Sequence, residues 1–386
     1  MLHLPLLLVA ALGVAAHAAQ PDLAPPAAPP TPAAATPADP VAPPEAPRPT
    51  PAQAVDGARL MATLRELPTA RAALGDEASR AGLVATEELL LTKLRALGYE
   101  PREQAIRWAL PARGWGRDDA DAPAAEGAEP PPPPTQWRNI WVDLPGTDLA
   151  HEVLLLGAHF DAVPGSPGAD DNGTGTAAAL ELARVLYGIK SRRTIRIAFF
   201  NLEEVGLIGA TRYVASLTPP PVEEGDAEAP PQERIVGMVS MEMLGYFSDE
   251  PGSQKSPIPA IEGVFTPPTV GDTICIVGIA KHRAFSGSLD TAMRASAPAL
   301  KTTLVDFLPV PVPDMLRSDH RPFLMAGIPA VMLTDTSNFR NPHYHLPSDT
   351  IDTLDPERFT LVVRALAGAA VTLADAPVST AVTPAP

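Results

Sequence analysis

One cysteine, Cys275, stands in a chain of 386 residues, so no disulfide can close within it. Basic residues are also scarce. Lys and Arg total 29 against 45 Asp and Glu, a formal net charge of -16. That balance disfavours nucleic acid and anionic membrane as main partners, and its plainest meaning is a soluble acidic surface. The one apolar run of the N-terminus, residues 4–14, is too short to span a bilayer comfortably. No cysteine follows it, which excludes lipid attachment there. No internal repeat is present.

What is there begins with an export signal. Residues 1–19 combine that apolar run with Ala16-His17-Ala18, a small-x-small cleavage site, although Lys and Arg are lacking ahead of the run. An exported protein, periplasmic or secreted and without stable membrane association, is expected. Residues 20–54 are mostly Pro, Ala and Thr and read as an extended linker that cannot bury a core. The folded domain is expected over 55–375, interrupted by Pro- and acid-rich insertions near 109–135 and 218–233, with a disordered tail at 376–386.

Within that domain the hydrophobic period switches between two and 3.6. Leu83, Glu87, Leu90, Leu94 and Leu97 share a helix face that Gly98 stops. Strands are predicted over 139–142, 153–156, 194–200, 235–241 and 330–333, and helices over 174–187, 206–217 and from an Asp355-Pro356 start to about 374. Strands alternating with helices imply an α/β fold: a single globular domain whose central, mostly parallel mixed β-sheet is sandwiched by helices. In such sheets ligands sit at the carboxyl ends of the strands.

Histidines and carboxylates gather at those ends. They are His159-Phe160-Asp161, Gly168-Ala169-Asp170-Asp171-Asn172, Glu203-Glu204, Glu242 and Tyr344-His345. Singly, each has a plain explanation. His159 could be a satisfied loop histidine, GADDNGTG a turn and helix cap, and Glu203-Glu204 a solvated acidic loop. A phosphate loop is disfavoured because two aspartates would repel phosphate. His343 competes with His345 on composition alone. Taken together, imidazoles and carboxylates suit a pair of divalent cations, zinc above all, and such a pair makes a nucleophile from water at neutral pH.

The ordered series GAHFDAV, GADDNGTG, NLEEVGLIG, MEMLG, SDHRPF and YHLPSDT resembles zinc-dependent exopeptidases of the M28 (bacterial leucyl aminopeptidase-like) family. The resemblance runs from about residue 55 to 374. It implies two zinc ions per chain: His159 and Glu242 on one, Glu204 and His345 on the other, and Asp171 bridging them. It implies Glu203 as general base, Asp161 as the partner that orients His159, Tyr344 as an oxyanion donor, and a cis peptide between Asp171 and Asn172. Glu242 is a departure, since many members carry Asp there. The implied activity is exopeptidase action on peptides, most simply an aminopeptidase, with carboxypeptidase, dipeptidase or glutaminyl cyclase-like acyl transfer as alternatives. A related family, the M20 metallopeptidases, normally spaces the first two motifs further apart than the twelve positions between His159 and Asp171. It also adds a dimerisation domain. A glutaminyl cyclase would usually lack the His159-type ligand, and a non-catalytic ectodomain would have lost ligands that this chain keeps. For a substrate carboxylate, Arg317, Arg321 and Arg340 are the candidate cations.

Overall fold

Side chains along the central strands alternate with a period of two between the faces of one sheet, and both faces are buried. In β3 (Leu149–His159), Leu154, Leu156 and Ala158 face one hydrophobic cluster while Val153 and Leu155 face another. In β4 (Arg193–Phe200), Ile195, Ile197 and Phe199 face the first and Ala198 and Phe200 the second. A strand covered on both sides reads as a continuous apolar run, as these do. The computed structural model describes residues 49–108, 135–217 and 232–376, which belong to one compact unit.

The remaining strands are β1 (Arg102–Trp108), β2 (Thr135–Leu144), β5 (Arg234–Glu242), β6 (Ile274–Val277), β7 (Thr302–Val305) and β8 (Ala330–Thr334). The sheet order is β1-β2-β4-β3-β5-β8-β6-β7. Its middle, β4-β3-β5-β8, is parallel, and β1, β2 and the β8–β6 pairing are antiparallel. The helices are α1 (Pro51–Ala54), α2 (Gly57–Glu66), α3 (Glu77–Ala96), α4 (Gly175–Leu186), α5 (Ile208–Ser216), α6 (Arg283–Ser296), α7 (His320–Met325) and α8 (Pro356–Asp375). Helices α2, α3, α4, α6 and α8 bury side chains in the first cluster; Tyr213 of α5 and Phe323 of α7 fill the second. A third cluster, with Ile258, Val277, Val305, Met315 and Met332, lies at the β8-β6-β7 end.

The expected strands and helices are present with shifts of a few residues. Strands β1, β6 and β7 and helices α1, α2, α6 and α7 were not anticipated. β1 buries one apolar residue, Ile106, and β6 and β7 are four residues each, too short for a period to show. The fold also starts earlier than residue 55. Thr50 caps α1 in a capping box with Gln53, and Pro51 occupies the first turn, where its missing N–H is harmless. The proline that looked like linker is a helix start. The expected signal (1–19), most of the linker (20–48), the insertions (109–134 and 218–231) and the tail (377–386) lie outside the described residues. Among the described residues no helix is long and apolar enough to cross a membrane.

Leu156 is fully buried in β3 at the sheet centre. Leu156→Ala should lower the unfolding free energy by about 2–5 kcal/mol. Urea titration should show an earlier midpoint with an unchanged slope; a loss well under this range would mean that β3 is not the packed centre.

Candidate metal centre

β3 ends on His159 and β5 on Glu242, while β4 runs into the turn carrying Glu203 and Glu204. Parallel pairing puts these ends side by side, with His159 level with Phe200. Asp171 arrives from the loop before α4, and Asn172 ties that loop to β5. Its Nδ2 donates to the Met241 carbonyl at 2.8 Å, and its Oδ1 accepts from the amides of Gly175 and Met243 at 3.0 and 3.2 Å. The Asp171–Asn172 peptide is cis. Position 175 admits no side chain, since a Cβ would lie 2.4 Å from Asn172 Oδ1 and 2.5 Å from the Met241 oxygen. Leu202, Met243 and His345 take left-handed φ values of 61°, 52° and 60°. Side-chain-bearing residues rarely do so, and here each is, or adjoins, a residue of the cluster.

The donor atoms form two sets that share Asp171. His159 Nε2 lies 3.4 Å from Asp171 Oδ1 and 3.3 Å from Glu242 Oε2. His345 Nε2 lies 3.0 Å from Asp171 Oδ2 and 3.3 Å from Glu204 Oε2. Yet neither Nε2 makes a hydrogen bond, and Glu204 Oε1 also lacks a partner. Buried polar atoms that are close but not hydrogen-bonded call for another partner. A cation fits the spacing: donors about 2.0–2.2 Å from a tetrahedral zinc stand about 3.3–3.6 Å from each other. Glu203 lies at the same centre, because donor atoms of His159, Glu203 and Glu242 fall within 4.8 Å of one another, as do those of His159, Asp171 and Glu204.

Asp161 sits differently from its expected place on the His159 ring. Its two carboxylate oxygens accept the amides of Glu203 and Glu204, at 3.0 and 3.1 Å. His159 Nδ1 is nearer the Asp161 carbonyl, at 3.2 Å, than the Asp161 carboxylate, at 3.5 Å. The backbone thus orients the imidazole, while the carboxylate clamps the turn bearing the two glutamates. Asp349 repeats the device on the other loop, accepting the amides of Asp170 and Asp171 at 2.9 and 3.1 Å. Sequence reasoning missed Asp349, although it lies within YHLPSDT. It also missed Ser318, which donates to Glu242 Oε2 at 2.7 Å and pairs with Ser240 at 2.8 Å. Asp319 went unassigned too; it is buried with both carboxylate oxygens unbonded.

Tyr344 stacks on His345 with ring centroids 3.8 Å apart, and its hydroxyl accepts from Arg317 Nη2 at 2.8 Å. His343 bonds Ser348 and stays out of the cluster. Of the three arginines considered, Arg340 is buried in bonds to Gln254, Tyr246 and Thr273, and Arg321 is exposed on α7. Arg317 lines a cleft that has Asp171, Glu203, Glu204 and Glu242 at one end and Ile258, Phe265, Val305, Met315 and Met332 among its apolar walls.

The family model for Peptidase family M28 matches residues 139–370, and the chain belongs to that family. The Escherichia coli (strain K12) protein YfbL is 31% identical over 244 residues, covering 59% of this chain and 68% of its own. Aminopeptidase YwaD of Bacillus subtilis is 28% identical over 216 residues, covering 54% of this chain but only 38% of its own. Among solved structures, the zinc aminopeptidase BSAP from Bacillus subtilis superposes with a TM-score of 0.59 at 18% identity, over 84% of this chain and 96% of its own. At that identity the likeness shows the fold.

Without a cation the cluster holds protons. Burial disfavours a charged His345, but the facing carboxylates of Asp171 and Glu204 outweigh it and push the imidazole up to about 10. Burial likewise opposes charge on His159, and Glu242 and Glu203 still carry it well above its usual range. Burial, with Asp171 alongside, raises Glu204 to about 7. Imidazoles bind metal only when neutral, so a cation must displace these protons. Zinc uptake by the metal-free protein at pH 7 should therefore release protons. Its affinity should rise between pH 7 and 10, by about tenfold per pH unit for each proton displaced. A titration in weakly buffered solution with a pH indicator measures this, and uptake without acidification would contradict the assignment.

Proposed function

We propose that this chain is a two-zinc aminopeptidase that removes N-terminal residues from peptides. The observation that carries the reading is the placement of Asp171 between two imidazoles, each with its own second carboxylate. His159, Asp171 and Glu242 would hold one cation, and Asp171, Glu204 and His345 the other. The bound pair would lower the pKa of water and polarise the scissile carbonyl. The protein groups do the rest. Glu203 takes a proton from the attacking water and returns it to the departing amine. Burial, with Glu204 and Glu242 nearby, raises the Glu203 carboxyl well above its usual range, which suits a group that must both accept and release a proton. The Tyr344 phenol, kept protonated by burial and by the carboxylates around it, donates to the developing oxyanion. The acidic end of the cleft suits a free α-amine, and its apolar walls suit the side chain beside it. We also propose that the protein works outside the cytoplasm, on the strength of the N-terminal apolar run and its small-residue cleavage pattern.

Lys255 and Arg317 line the same cleft. This favours a second reading, in which the substrate is short enough for its own carboxylate to reach them, as in a dipeptidase. A panel of free-amine, blocked-amine and free-carboxyl peptides separates the two. Free-amine substrates of any length should be cleaved and N-acetylated ones refused. Cleavage of free dipeptides with refusal of longer free-amine peptides would replace aminopeptidase action with dipeptidase action.

Glu203→Gln should keep zinc near wild-type content and lower kcat by about two to four orders of magnitude, the usual contribution of a general base. Metal analysis with turnover measurement checks both halves, and near-normal turnover would remove Glu203 from the role.

A further inference from the structure

Arg71 lies between α2 and α3, far in sequence from the ligand motifs and outside the segment matched by the family model. Its guanidinium is buried and reaches under the metal centre. Nε donates to the Phe160 carbonyl at 2.8 Å, Nη1 to Pro68 at 3.1 Å and Pro167 at 2.5 Å, and Nη2 to Gly168 at 2.5 Å. Its own carbonyl accepts from the Ala162 amide at 3.0 Å. Phe160 stands between His159 and Asp161, and Gly168 opens the turn that presents Asp171. One planar fork thus binds the two loops that carry the first imidazole and the shared carboxylate.

A positive charge here opposes cation binding through space, so charge alone would be a poor reason for its presence. The acceptors also point elsewhere, because all four are neutral carbonyls. Burial holds the guanidinium below its ordinary range, and the field of Asp349, Asp171, Asp161 and Glu204 offsets only part of that cost. We propose that Arg71 is the positioning residue of the metal centre: its guanidinium fixes the separation of the His159 and Asp171 loops and thereby sets the cation affinity of the site. The proposal rests on the two-zinc reading above. The amides of the loops are held by Asp161 and Asp349, and Arg71 supplies the matching hold on their carbonyls. Lysine keeps the charge but offers donors from a single atom, which cannot span acceptors on two loops as a planar fork does.

The test compares full-length wild type, Arg71→Lys and Arg71→Met. Zinc affinity is measured by competition with a chelator of known affinity, alongside thermal melting of the metal-free proteins. Both variants should still melt cooperatively, and both should bind zinc about 10–100-fold more weakly, as loss of an outer-shell partner does. A pure charge role predicts the opposite pattern, with Arg71→Lys unchanged and Arg71→Met tighter, and that result overturns the proposal. If neither variant folds, Arg71 is a determinant of folding and the positioning role is withdrawn. Wild-type protein that fails to take up two zinc ions overturns the two-zinc reading and this proposal with it. Normal wild-type uptake with unchanged variants overturns this proposal alone.

Discussion

Crowded carboxylates are the constraint on which the rest of this structure depends. Asp161, Asp170, Asp171, Glu203, Glu242, Asp319, Asp335 and Asp349 are all buried, and most converge at the carboxyl ends of β3, β4 and β5. Burying uncompensated charge is expensive, and burying several like charges together more so. Each carboxylate therefore needs a donor, a proton or a cation. Asp161 and Asp349 take paired backbone amides, and Asp170 takes the side chain of Asn341 with the amide of Gly245. Asp171, Glu204 and Glu242 face two imidazoles without true hydrogen bonds to them. That remainder of uncompensated charge is where the proposed cations would sit.

The sheet makes the crowding possible. Parallel strands deliver their ends to one edge, and apolar burial on both faces keeps water from the flanks. Low local polarity strengthens every remaining electrostatic contact, so a carboxylate there is costly when unpaired and effective when paired. The loops that leave the strands cannot relax away from one another. Asn172 bolts the Asp171 loop to β5, Asp161 bolts the β3 exit to the β4 exit, and Arg71 joins the β3 exit to the Asp171 loop. Positive φ at Leu202, Met243 and His345 shows where the chain bends to satisfy those ties.

How far this could be read from sequence depended on the partner each residue uses. His159, Asp171, Glu204, Glu242 and His345 meet one another through their side chains, and so the residue types alone suggested a shared centre. Asp161 was placed on the imidazole because an HxD pair suggests it, but its carboxylate meets backbone amides. An amide has no side-chain identity, so nothing in the letters reveals it. Asp349 and Arg71 escaped notice for the same reason, both acting on main-chain groups. Fold legibility followed a parallel rule. The strands buried on both faces were visible as apolar runs, while β1, half exposed, and the four-residue β6 and β7 gave no period to read.

Glu242 illustrates how the surroundings tame a residue that departs from the common aspartate. A glutamate has one more rotatable bond than an aspartate, and an untethered one would place its oxygens loosely. Here Ser318 donates to Oε2 and is itself paired with Ser240, two residues before Glu242 on the same strand. One oxygen is thereby pinned from the segment leading into α7, and that same oxygen faces His159 at 3.3 Å. Ser318 precedes Asp319 in the chain, so the SDHRPF segment brings two groups to the centre at once, a donor that fixes one carboxylate and a second, fully buried carboxylate that makes no hydrogen bond of its own.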